Sequence, residues 1–175
     1  MVTWFKSLPW YGQIILVLIA LVILYYFVWK PIKAKLSSGN YQAAVNQSQT
    51  ALNQLAQQGV KPSYGEAQYT SYANSLTSAF DGCTGAKDAN AFWAILEPVF
   101  GAMKNDADVY ALIKAYGVRT FDKCGYFSGD FTGDLAASLG EKFSGTEGWV
   151  IATGAGKGKA YINDILKKNS IVFTF

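Results

Sequence analysis

The 175-residue chain has no histidine, two cysteines and few charges, with Asp, Glu, Lys and Arg together making 15% of it. Without an imidazole there is no Ser-His or Cys-His catalytic pair, no His-ligated zinc or haem, and no histidine pH switch. A charged share well below the usual ~25%, beside a hydrophobic share of 51%, excludes an intrinsically disordered chain. The cysteines, Cys83 and Cys124, fit either a disulfide or two buried thiols, and a non-secreted domain favours the thiols. The length suits one domain of roughly 100–150 residues with an appendage.

Charge is also missing from Ser7 to Trp29, and Ile14 to Val28 (IILVLIALVILYYFV) is an unbroken apolar and aromatic run. A helix of about 20 residues at ~1.5 Å each spans ~30 Å, the thickness of a bilayer core. Trp10 and Trp29 bracket this segment, Tyr25 lies near its far end, and Ile14, Leu18 and Leu21 fall within it. Indole and phenol rings prefer the headgroup zone, so the pattern reads as an aromatic belt. Lys6 precedes the run, and Lys30, Lys33 and Lys35 follow it as membrane-interface residues. Fifteen apolar residues at a few tenths of a kcal/mol give roughly −5 kcal/mol for insertion. The run ends in YYFVWKP rather than small residues, which argues against a cleaved signal peptide. The expectation is a single-pass anchor over residues 1–36. By the positive-inside rule the larger C-terminal part is cytoplasmic, or faces a protein shell if the membrane is that of a virion.

Residues 1–36 hold four lysines and no acid, whereas residues 37–175 hold eleven basic and twelve acidic residues. The net charge of +3 is therefore the flanking charge of the expected span, not a nucleic-acid footprint.

After the anchor, Pro31 is expected to stop or kink the span, and Ser37-Ser38-Gly39-Asn40 reads as a hinge. Residues 37–62 form a linker or stalk in which a helix over 42–58 aligns Val45, Leu52, Leu55 and Ala56. Residues 63–175 form a helical domain. Ser63 and Glu66 have capping-box spacing before a helix carrying Tyr69, Tyr72, Ala73, Leu76, Ala79 and Phe80 on one face. Asp88 is placed to cap a helix with Phe92, Ile95, Leu96, Val99 and Phe100 inward and Pro98 within it. Asn105 or Asp106 caps the next helix, which Gly117 ends. Val118 to Phe121 has strand chemistry, and a turn-rich stretch follows. Thr132 or Asp130 caps a helix carrying Leu135, Leu139 and Phe143. A glycine-rich loop over 145–158 leads to a last helix with Tyr161, Ile162, Ile165 and Leu166. The alternating Ile171-Val172-Phe173-Thr174-Phe175 is a strand, expected to pair with the segment around Val118–Phe121.

The paired helical patterns around GCTGAKDANAFWAIL and KNDADVYALIKAYGVR resemble the start of an annexin-type repeat. The pattern NDAD, L, AYGVR, D-x-CG, GD-x-x-G-x-L, then IN-x-IL and I-x-F-x-F is similar to small C-terminal domains of flavobacterial and flavobacterial-phage proteins. The similarity covers roughly residues 64–175 and rests on caps, glycine stops and core positions. It implies a non-enzymatic module, and with an anchor it suits a structural protein of a lipid-containing virion.

Motifs that invite chemistry meet plainer alternatives. Gly82 to Asp88 departs from an annexin calcium loop, because Lys87 puts a cation among the ligands and Cys83 offers no oxygen. Asp106 and Asp108 sit in a first helical turn, where the helix dipole accounts for them. Gly154 to Lys159 matches neither the P-loop nor the G-x-G-x-x-G register and reads as a basic surface loop. Glu66 or Glu97 is a candidate acid for peptidoglycan lysis, though the sequence picks out no second carboxylate.

The expected fold class is therefore mainly α: one transmembrane helix, then a small annexin-repeat-like bundle with a short two-stranded β pairing. No catalytic residue, cofactor or metal is assigned, and neither nucleic acid nor a small-molecule substrate is expected. The expected partners are a lipid bilayer and other protein subunits, whether capsid, vertex or neighbouring copies. The expected function is a non-enzymatic structural link between a membrane and a protein assembly. A virion inner membrane is the first expectation for its location, and a bacterial inner membrane the alternative. The rival functions are an envelope-anchored binding module, dependent on lipid or calcium, and a lytic protein.

Overall fold

The computed structural model describes residues 30–84, 88–123 and 129–175, with side chains from Tyr41 onward. The chain divides into two units, Met1–Ser37 and Ser38–Phe175. Among the described residues the first helix, α1, is Lys30–Gln57, so the expected hinge at Ser37–Asn40 is helical. Pro31 lies within the described part of α1.

The expected fold class is corrected at its start. Among the described residues no helix is long and apolar enough to cross a membrane. The longest, α1, has 28 residues but carries Lys30, Lys33 and Lys35 and is rich in Ser, Asn and Gln. Trp10, Ile14, Leu18, Leu21, Tyr25 and Trp29, with Lys6, lie outside the described residues.

The remaining helices are α2 (Glu66–Phe80), α3 (Ala89–Gly101), α4 (Asp106–Tyr116), α5 (Leu135–Lys142), α6 (Gly145–Ala155) and α7 (Lys159–Lys168). Helix α3 (ANAFWAILEPVFG) is apolar on nearly every side, which suits a helix packed among several others. It lies against α2, α6 and α7. Phe92, Trp93, Leu96, Val99 and Phe100 are buried, and Ile95 is only half-buried. Trp93, which the periodicity does not single out, stacks near Phe143 and Tyr161 and donates its indole N–H to the Lys157 carbonyl at 3.1 Å. Helices α2 and α4 pack on each other through Tyr69, Leu76, Phe80, Leu112 and Tyr116.

Several caps differ from expectation. Gly65, not Ser63, precedes α2, and Ser63 gives its backbone N–H to Asp108. Asp88 stands at the start of α3 without a side-chain cap bond. Asp134, rather than Asp130 or Thr132, caps α5 by accepting the Ala137 N–H at 2.8 Å. Asn105 caps α4, and Gly117 ends it at φ 63°, a conformation that favours glycine.

The sheet also has a different partner. Strand β1 (Arg119–Asp122) pairs antiparallel with β2 (Asp130–Gly133), Phe121 opposite Phe131. The two rings lie 5.3 Å apart, a cross-strand aromatic pair. Closing that short connection costs less chain entropy than recruiting Ile171–Phe175 from far along the sequence. The C-terminal segment is instead held by side chains. Val172 and Phe173 donate their N–H groups to Asp106 Oδ1 at 3.0 and 2.8 Å, and Phe175 donates to Asn163 Oδ1 at 2.9 Å. Phe173 packs on Tyr110, and Phe175 on Phe100.

The expected glycine loop is largely helix α6, since Gly145–Ala155 is helical and Gly156 ends it in the left-handed region. Gly148 has a packing reason: a Cβ there would fall 2.3 Å from the backbone C and O of Phe143. Gly148→Ala is therefore expected to lose about 1–3 kcal/mol by overpacking. Gly140, in α5, has nothing within 4 Å of a built Cβ. Gly140→Ala is expected to gain about 0.5–1 kcal/mol from helix propensity and a smaller unfolded-state entropy. Denaturant unfolding of the two variants checks the opposite signs.

Candidate functional site

Three polar clusters bring together six of the chain's twelve acids and the lysine Lys142. The first is the opening turn of α4. Asn105 accepts the Asp108 N–H at 3.0 Å and donates its amide to the Lys61 carbonyl and Ser63 Oγ at 3.2 and 3.3 Å. Asp106 holds Val172 and Phe173. Asp108 is fully buried and accepts from Ser63 N–H at 2.6 Å, Tyr69 O–H at 2.6 Å and Lys104 N–H at 2.7 Å. Burial pushes its carboxyl up, but the Ser63, Tyr69 and Lys104 donors outweigh that and hold it below the ordinary 3.8. Burial and the same hydrogen bond push the Tyr69 phenol well above its usual value. The helix dipole alone does not account for Asp108, because three donors from outside α4 converge on it.

The second cluster surrounds Cys83, which is disulfide-bonded, contrary to the expected thiols. The other cysteine of the chain is Cys124, outside the described residues. The turn that carries Cys83 is held from both sides. Lys142 Nζ donates to the Gly82 carbonyl at 2.5 Å, and the Thr84 N–H donates to Glu147 Oε1 at 2.9 Å. Lys142 and Glu147 pair with each other at 2.8 Å, with side chains 0% and 13% exposed. The ammonium also lies 5.5 Å from the Phe121 ring centroid, a cation–π contact. The composition offered no signal for a buried lysine.

The third cluster is acidic. Asp122 faces Asp130 across the hairpin and takes the Asp81 carboxylate on its backbone N–H at 2.9 Å. Asp130, then Asp81, push the Asp122 carboxyl above its ordinary value. Among the described residues no group of three or more His, Cys, Asp or Glu side chains is arranged to hold a metal ion.

Among the described residues neither candidate lytic acid is paired with a second carboxylate. Glu66 is exposed at the start of α2 and lines a cavity of about 190 Å³ with Tyr69 and Lys114, where it is the one carboxylate. Glu97 pairs with Lys157, which raises the lysine's affinity for its proton. Glu141 pairs with Lys123 at 2.6 Å. A larger cavity of about 400 Å³ lies between α1 and the domain, lined by Ala44, Ser48, Tyr110, Ile113 and Phe173. Its carboxylate, Asp134, is committed to capping α5.

Asp108→Ala is expected to lose about 2–4 kcal/mol, since it strips a buried acceptor from three donors. The folded carboxyl titrates below its unfolded value, so its stabilisation is present above the unfolded pKa and lost as pH falls through the folded one. Stability curves of wild type should therefore fall towards acid more steeply than those of the variant. Lys142→Ala is expected to lose about 2–4 kcal/mol, since it empties a fully buried site and leaves the half-buried Glu147 without its cation. Lys142→Met with Glu147→Leu should lose less than the sum of the two single changes, measured by a double-mutant unfolding cycle.

No protein-family model, curated protein or solved structure matches the chain.

Proposed function

We propose that the chain is a non-enzymatic structural protein that links a membrane to a protein assembly, the virion membrane of a lipid-containing phage to its capsid or vertex. The observation that carries this reading is how the polar side chains are used. Asp106 and Asp108 bind backbone, Glu97, Glu141 and Glu147 are ion-paired, and Lys142 clamps a turn. Each serves the fold of the domain. The charge-free run at 14–28 is the part that meets lipid, and the lysines beside it suit anionic headgroups.

The disulfide at Cys83 supports a second reading, a bacterial envelope protein whose domain lies on the oxidising side and binds lipid or calcium.

Flotation of the full chain with liposomes, with and without purified shell protein, tests the first reading. The chain should float with lipid in high salt and bring the shell protein with it. Failure to bring any shell protein, with saturable calcium-dependent heat on titration into anionic liposomes, would favour the second. Clearing of a peptidoglycan gel by wild type, lost in Glu66→Gln or Glu97→Gln, would overturn both.

A further inference from the structure

Two carboxylates are buried among the described residues, Asp108 and Asp134. Three donors meet Asp108, but the Asp134 side chain, in a residue only 6% exposed, is held differently. Among the described residues one donor reaches it, the Ala137 N–H on Oδ1, and no cation pairs with it. Its place at the N-terminus of α5 offsets part of the cost of burying the charge, because the helix dipole favours an anion there. One hydrogen bond and a partial dipole still leave a buried carboxylate short of partners.

Asp134 lines the cavity of about 400 Å³ between α1 and the domain. That volume is in the range of pockets that hold small organic molecules. Most of the remaining wall is apolar: Ala44 and Ala51 from α1, Ile113 from α4, Ala136 from α5, and the rings of Tyr110 and Phe173. The two rings meet edge to face with centroids 5.3 Å apart. Gln47 and Ser48 bring further oxygen acceptors from α1. The Ser48 hydroxyl gives its proton to the Val45 carbonyl at 2.6 Å, so its oxygen keeps lone pairs with which to accept.

We propose that this cavity binds a small organic primary amine in its ammonium form. Asp134 is the one charged group among the lining residues, so an anion is repelled, and a dication would keep one charge unpaired against an apolar wall. A hard metal ion takes six or more oxygens, which one carboxylate in such a wall does not supply. A primary ammonium has three N–H donors, matched to Asp134, Ser48 and Gln47, and its hydrocarbon body suits the alanines and Ile113. Aromatic rings beside the carboxylate favour the same cation. The ammonium of an ethanolamine lipid headgroup has a phosphate beside it, which Asp134 would repel, so the occupant is a free amine.

Isothermal titration of phenethylammonium chloride into the full chain in a neutral detergent tests this. Wild type should bind saturably, with a Kd of about 1 mM or tighter. Phenethyl alcohol, a neutral compound with the same body, should bind about tenfold more weakly or worse. Asp134→Asn keeps a good N-cap residue, so its thermal unfolding should stay close to that of wild type while its affinity for the ammonium falls about tenfold or more. Ala51→Leu, which fills the cavity, should bind neither compound. Phosphoethanolamine should not displace phenethylammonium. No saturable binding by wild type would overturn the proposal. So would Asp134→Asn or Ala51→Leu that binds as wild type does, phenethyl alcohol that binds as tightly as the ammonium, or displacement by phosphoethanolamine.

Discussion

A buried carboxylate at the start of one helix organises the domain. Taking Asp108 out of water is unfavourable unless several donors replace it, and Ser63, Tyr69 and Lys104 do so. Those donors belong to different parts of the chain, the run before α2, α2 itself and the turn before α4. Asn105 and Asp106, beside it, take the carbonyl of Lys61 and the amides of Val172 and Phe173. Non-helical backbone must place its N–H groups somewhere, and one helical turn offers acceptors for three such segments. Asn169 completes the ring by donating to the Gly101 and Met103 carbonyls at 3.1 and 2.8 Å.

The Lys142–Glu147 pair plays the corresponding part on α5 and α6. It is weak evidence for stability in itself, because burying both ions nearly cancels their attraction. Its effect is positional: the lysine reaches one side of the Cys83 turn and the glutamate the other. Between these two polar anchors lies a continuous aromatic core, from Phe80 through Phe92 and Trp93 to Phe143 and Tyr161. Among the described residues, the large apolar side chains left exposed are Trp149 on α6 and Val172.

Helical periodicity was readable because large apolar residues recur at the right spacing. Tyr69, Ala73, Leu76, Phe80, Ile162 and Leu166 all fall inside as their pattern implies. Asn105 and Gly117 were legible as caps because their chemistry is local. What depended on distant partners was not. Ser63 looks like a cap but serves Asp108, and Ile171–Phe175 alternates like a strand but finds side-chain acceptors instead of a neighbour. Gly145–Ala155 reads as a loop from its glycines, yet Ile151 and the close approach at Gly148 make it a packed helix. The roles of Asp108 and Lys142 need tertiary contacts across many tens of residues, which no local window contains.

Amide hydrogen exchange in wild type and Asp108→Asn most directly tests whether the α4 turn holds these segments together. The amides of Ser63 and Lys104 should be protected in wild type and lose that protection together in the variant, while those within α7 keep theirs. Unchanged protection at Ser63 and Lys104 would mean that the aromatic core alone fixes the domain.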